Sequence, residues 1–203
     1  MTQTTRPEPW LRGTLPEVPV VHGAVLHALQ LANEDIERWC GELSAQELGA
    51  RPGGVAPVAF HIRHIARSID RLLTYAEGRE LNEEQLTALR EEMDGNPRRE
   101  DLFAEMAATF ADAERRIRTL AGTDLEAPRT VGRQARPTRL GGLLVHIADH
   151  TQRHVGQAIT TAKIVRAQLC AISAIVAPVR HANSGILHAP ICFLKRPRAS
   201  CSW

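Results

Sequence analysis

The sequence predicts an all-α fold: a bundle of four long helices, with a short extra helix between the second and the third. Three observations carry this reading. Apolar residues recur at intervals of three and four in four separate stretches, the mark of amphipathic helices. Stop and cap residues fall where those stretches end. The β-branched residues follow the helical period rather than strand alternation. Helices with one apolar face each bury those faces best against one another.

Taken in order, residues 1–19 carry four prolines and no period, so they are predicted to form an extended arm, with Trp10 and Leu11 as its anchors. The first helix begins at Val20, its stripe set by Val21, Val25, Leu29, Ala32, Ile36, Trp39 and Leu43. Ser44 with Glu47 forms a capping box for a short turn, and 49–57, rich in Gly and Pro, is a loop. The second helix spans about Val58 to Glu77, with Val58, Ile62, Ile65, Ile69, Leu72 and Ala76 as its stripe and Gly78 as its stop. Asn82 caps the short exposed helix, and Gly95-Asn96-Pro97 ends it. The third helix, about Arg98 to Ala121, shows Leu102, Met106, Phe110, Ala113, Ile117 and Leu120 on one face, and Gly122 stops it. A polar connector, 123–137, leads to Thr138 as the predicted N-cap of the fourth helix, Leu140 to Ile164. Periodicity fades from about Ala167, and no acidic residue follows Asp149. The predicted organisation is an arm (1–19), the bundle (20–168) and a C-terminal tail (169–203).

Composition narrows the function classes. The formal net charge is +2 and aromatic residues are 4% of the chain, too few for base-stacking platforms; no nucleic-acid partner is expected. The longest apolar run, 169–178, falls short of the ~20 residues of a membrane span, and the N-terminus lacks an apolar signal core. A cytoplasmic protein without a membrane partner is the expectation. Cys40, Cys170, Cys192 and Cys201 form no CxxC pair, so neither a disulfide framework nor a thiolate zinc site is predicted. Cys170, His181, His188 and Cys192 fit no ligand spacing.

The chemistry concentrates in histidines. His146, His150 and His154 are four apart and stack along one side of the fourth helix; His61 and His64 lie one turn apart on the second. On a wheel, His154 falls ~40° from the centre of its stripe, His150 ~80° and His146 ~120°, while His61 falls ~60° from its own and His64 ~120°. Periodicity therefore favours His61 as the partner from the second helix. One histidine on an apolar face is usually a hydrogen-bonded core residue. Five that flank two buried stripes are harder to explain by packing, because buried imidazoles cost free energy unless partnered. A shared metal would supply the partner.

HIRHIARSIDRLLTY in the second helix and HIADHTQRHVGQ in the fourth resemble the DinB-like (DinB/YfiT-like) superfamily over about Val20 to Arg166. The resemblance implies a four-helix bundle of non-sequential topology with a histidine triad, one ligand from the second helix and two from the fourth: here His64, His150 and His154. The ligand from the second helix is then His64 rather than the His61 that the wheel favours. His61, His146 and Gln157 become candidates for groups that back the ligands or line the groove. Three neutral imidazoles with an open position suit Zn²⁺, Ni²⁺ or Fe²⁺.

The resemblance further implies a metal-dependent enzyme that activates a low-molecular-weight thiol, or water, for transfer to or hydrolysis of a small-molecule substrate. A thiol S-transferase and a hydrolase are the two forms this takes. No evident general base stands out; Asp70, Asp149 and Gln157 are the nearby candidates. The alternative is a non-catalytic, metal-stabilised bundle acting as a dimerisation or binding module, and a homodimer is compatible with either reading.

Overall fold

The computed structural model describes residues 6–93 and 98–176, with side chains through residue 169. Six α-helices and one β-hairpin are present among them: α1 (Val20–Cys40), α2 (Ala45–Gly49), α3 (Val58–Ala76), α4 (Glu83–Arg90), α5 (Arg99–Thr119), β1 (Pro128–Val131), β2 (Arg136–Arg139) and α6 (Leu140–Val176). The four long helices α1, α3, α5 and α6 form the predicted bundle, and α4 is the short helix between the second and third of them.

The apolar stripes meet in one core. Ile36, Ile62, Ile65, Ile69, Leu73, Leu102, Met106, Ile117, Leu140 and Leu144 are all fully buried. Burying one such side chain contributes roughly 1.5–3 kcal/mol, so these positions carry much of the stability.

Helix directions follow from cross-helix contacts. His61 and His64 of α3 meet His154 and His150 of α6, which makes that pair antiparallel. Gln152 donates to the carbonyl of Ala28 at 2.8 Å, and the Lys163 ammonium lies 4.2 Å from the Trp39 ring centroid, so α1 and α6 run parallel. Arg67 bonds Glu105 while Arg116 bonds Glu77, so α3 and α5 are parallel too. Helix α6 thus packs between α1 and α3. This non-sequential order requires the long connections before α5 and α6.

Local signals decide the element ends. The Ser44–Glu47 capping box is formed, and Asn82 caps α4 with Gln85 as its reciprocal partner. Gly78 has φ +76°. Its N–H reaches the carbonyl of Tyr75, and the N–H of Arg79 reaches that of Thr74, a Schellman stop that favours glycine.

Three expectations change. The connector before α6 contains the antiparallel hairpin β1–β2, in which Thr138 pairs with Arg129. Thr138 is therefore a strand residue and not the cap of α6. The first amides of α6 are satisfied by main chain instead, Leu140 by the carbonyl of Ala127 and Gly141 by that of Leu125. In the N-terminal arm, Trp10 and Leu11 are exposed, while Pro9 and Val18 are buried and Leu15 packs on the core; Arg12 pairs with Glu34 at 2.6 Å and ties the arm to α1. Helix α6 continues past Ile164 to Val176. The proposed stop at 95–97, the tail from 177 onward, and the side chains of Cys170, His181, His188 and Cys192 lie outside what is described.

Candidate metal centre

Helix α3 begins directly after Pro57, and its first turns carry Phe60, His61 and His64. The half of α6 facing them carries His150 and His154. Because the two helices are antiparallel, residues 61 and 64 descend as 154 and 150 ascend, and the four rings meet between them.

His64, His150 and His154 form a triangle, with ring centroids 5.1 Å (His64–His150), 4.3 Å (His64–His154) and 4.7 Å (His150–His154) apart. One ring nitrogen from each lies within 4.8 Å of the others. The closest approach joins Nε2 of His64 and Nε2 of His150 at 2.9 Å. Small side-chain rotations would bring such a set to the ~2.0–2.1 Å bonds of a zinc–imidazole site.

The protonation states suit ligation. Burial, reinforced by the neighbouring imidazoles, lowers the pKa of His150 and His154 to about 4. Burial and His64 do the same to His61. These rings are neutral at neutral pH and keep a lone pair to offer. Donor type, charge state and convergence all fit a divalent ion, and His64, His150 and His154 are the residues that would hold it.

Two of the three rings are braced from behind. Nδ1 of His64 donates to Oε2 of Glu92 at 2.7 Å. Nδ1 of His154 lies 3.1 Å from Nδ1 of His61, one of the two donating. Phe60 stacks on His64, with centroids 5.3 Å apart and planes 23° from parallel. Glu92 is buried and also accepts from Arg71. Burial opposes its ionisation, but the bonds from His64 and Arg71 outweigh that and hold the carboxyl below the usual carboxylate range.

The remaining predicted residues are placed as follows. His61, at 5% exposure, is more deeply buried than His64 and stands behind His154 rather than in the triangle. The wheel ranked burial correctly, but the rings converge at the rim of the apolar stripe and not at its centre. His146 is exposed, its ring 5.4 Å from that of His150. Gln157 is exposed. Asp149 is exposed and pairs with Arg153 at 2.5 Å. Asp70 pairs with Arg116 at 2.7 Å and accepts from Gln85 at 2.6 Å, on the side of α3 that meets α4 and α5. Sequence reasoning missed Glu92, Arg71 and Phe60. Phe60, next to His61 and one turn before His64, was the one a local signal could have found.

The fold and the site together define a class: a four-helix bundle with a histidine triad shared by two antiparallel helices and suited to a metal ion. The family model of the DinB superfamily matches residues 28–158, and the chain belongs to that superfamily. No curated protein matches it. Among the described residues, no helix is long and apolar enough to cross a membrane.

Proposed function

We propose that this chain binds one divalent metal ion, Zn²⁺, Ni²⁺ or Fe²⁺, through His64, His150 and His154, and that it is an enzyme activating a low-molecular-weight thiol or water against a small electrophilic substrate. The observation that carries the reading is the triangle of three imidazoles, two of them neutral because of burial, with one nitrogen each within 4.8 Å of the others.

A bound ion of this kind would lower the pKa of a thiol or water bound beside it and polarise a carbonyl or comparable group. The chain's own residues do the rest. Glu92 holds the Nδ1 proton of His64 and so directs its Nε2 toward the other two rings. The bond between the Nδ1 atoms of His61 and His154 fixes the plane of the His154 ring. Phe60 covers one face of His64 and limits water there. Three protein ligands would leave a bound ion open to an exogenous group, as in catalytic rather than closed structural zinc sites.

The test is metal analysis of protein purified without a polyhistidine tag, followed by a screen of low-molecular-weight thiols, and of water alone, against model electrophiles. One equivalent of metal, lost in His64→Ala, and thiol- or water-dependent turnover would support the reading. Metal content with a non-exchangeable fourth ligand and no turnover would favour a metal-stabilised binding module.

A further inference from the structure

We propose that Glu92 is a positioning residue for His64, and that the docking of residues 83–92 onto α3 is coupled to metal binding at the histidines. The coupling rests on the metal-binding reading above; the positioning does not.

Helix α4 has no fully buried residue, and only Leu86 and Ala88 among its apolar side chains are half-buried, so apolar burial contributes little to seating it. Its seat is a polar stripe on α3. Gln85 donates to Asp70 at 2.6 Å and to Thr74 at 2.8 Å. Arg67 donates to the carbonyl of Ala88 at 2.8 Å and pairs with Glu105 of α5. Arg63 donates to the carbonyl of Glu92 at 3.3 Å, and Arg71 and His64 share the Glu92 carboxylate. Residues 64, 67, 71 and 74 recur at three and four, so they form one face. That face is polar, and it faces a segment of chain rather than open solvent. The segment ends in the carboxylate that touches a ring of the triangle.

A carboxylate oxygen facing Nδ1 can only accept. It therefore fixes the proton on Nδ1 of His64 and leaves Nε2 for a ligand bond. Removing Glu92 frees His64 to take the Nε2–H form and to rotate. Undocking the 83–92 segment removes Glu92 in the same way. By linkage, whatever factor docking adds to metal affinity, the metal adds to docking.

The experiment has two arms. In the metal-free protein, ¹⁵N NMR of the histidine rings reads the tautomer of His64 in wild type, Glu92→Ala, Glu92→Gln and the exposed neighbour Glu91→Ala. Zn²⁺ affinity is measured on the same proteins by chelator competition. Expected are an Nδ1–H His64 in wild type, a shift toward Nε2–H in Glu92→Ala, and a 10- to 100-fold loss of affinity there. Glu92→Gln keeps an acceptor oxygen and should recover most of both, and Glu91→Ala should change neither. An unchanged tautomer in a folded Glu92→Ala overturns the positioning role. Should Glu92→Ala not fold, Glu92→Gln and wild type decide: amide exchange over 83–92 should slow on adding Zn²⁺, and equal exchange with and without bound Zn²⁺ overturns the coupling. A wild type that takes up no Zn²⁺ overturns the coupling and the metal reading together, while the tautomer arm still decides the role of Glu92.

Discussion

His61 and His64 differ by one turn of α3, and the difference sets their expected behaviour. His64→Ala, His150→Ala or His154→Ala should each remove most of the bound metal, because two imidazoles hold a divalent ion far less tightly than three. His61→Ala should weaken binding moderately, through loss of the bond that orients His154. His146→Ala, at an exposed position, should leave metal content unchanged. Elemental analysis of the five variants checks this. Acid should act on the same rings. His61, His150 and His154 have pKa values of about 4 in the fold against ~6.5 in an unfolded chain. Between those limits the unfolded chain binds more protons, so unfolding free energy falls as pH falls. The stability of the metal-free protein should be fully present above pH ~6.5 and decline steadily toward pH 4. Urea midpoints across that range measure it, and a flat profile would contradict the burial of these rings. At this scale the sequence was partly legible. Spacing exposed the histidines, but nothing separates Glu92 from Glu91: both read as solvated charges, and the bond to His64 spans 28 positions.

At the scale of elements, the polar face of α3 continues into a second cluster. Arg116 of α5, with its side chain 7% exposed, bonds Asp70 at 2.7 Å, Glu77 at 2.6 Å and Thr74 at 3.1 Å. It joins the parallel helices α3 and α5 near the point where Gln85 fastens α4. Arg116→Met would take from Asp70 its cation and from Thr74 a donor, while Glu77 keeps Arg79, and should destabilise the fold by about 2 kcal/mol. Chemical denaturation would read this directly, and a loss below about 0.5 kcal/mol would place Arg116 among ordinary surface pairs. The long helices were legible because their period is strong and their caps are local. The hairpin was not. Its strands, PRTV and RPTR, are four residues each and contain Pro128 and Pro137, which argue against a strand unless it lies at an edge, as both of these do. Its turn places Gly132 at φ +73° but also Ala135 at φ +45°, where a second glycine would have made the sign plain.

For the whole molecule, the bundle order α1–α6–α3–α5 puts the metal candidates on the two helices that share the most extensive packing. Metal binding should therefore stabilise the entire fold and not a corner of it. At a free Zn²⁺ concentration 100-fold above Kd the unfolding free energy should rise by about 2.7 kcal/mol, and a His64→Ala, His150→Ala, His154→Ala triple variant should show no rise. Differential scanning calorimetry with and without Zn²⁺ compares the two. The bundle and its extra helix could be inferred from amphipathic periodicity, but the parallel pairing of α1 with α6 could not, since apolar stripes carry no direction.

The rings that meet at the centre are separated by 86 positions between His64 and His150 and by 93 between His61 and His154. Contacts of that span must overcome a large loop-closure entropy before they contribute anything. During synthesis α3 is complete before α6 exists, so His61 and His64 lack the α6 rings until the last helix docks, although Glu92 is already in the chain to hold His64. A zinc ion bound there would act on a chain that has already condensed. It should slow unfolding in stopped-flow experiments while leaving the refolding rate almost unchanged. The ion would be a late clasp on the fold, and its protection would show as lifetime rather than as speed of assembly.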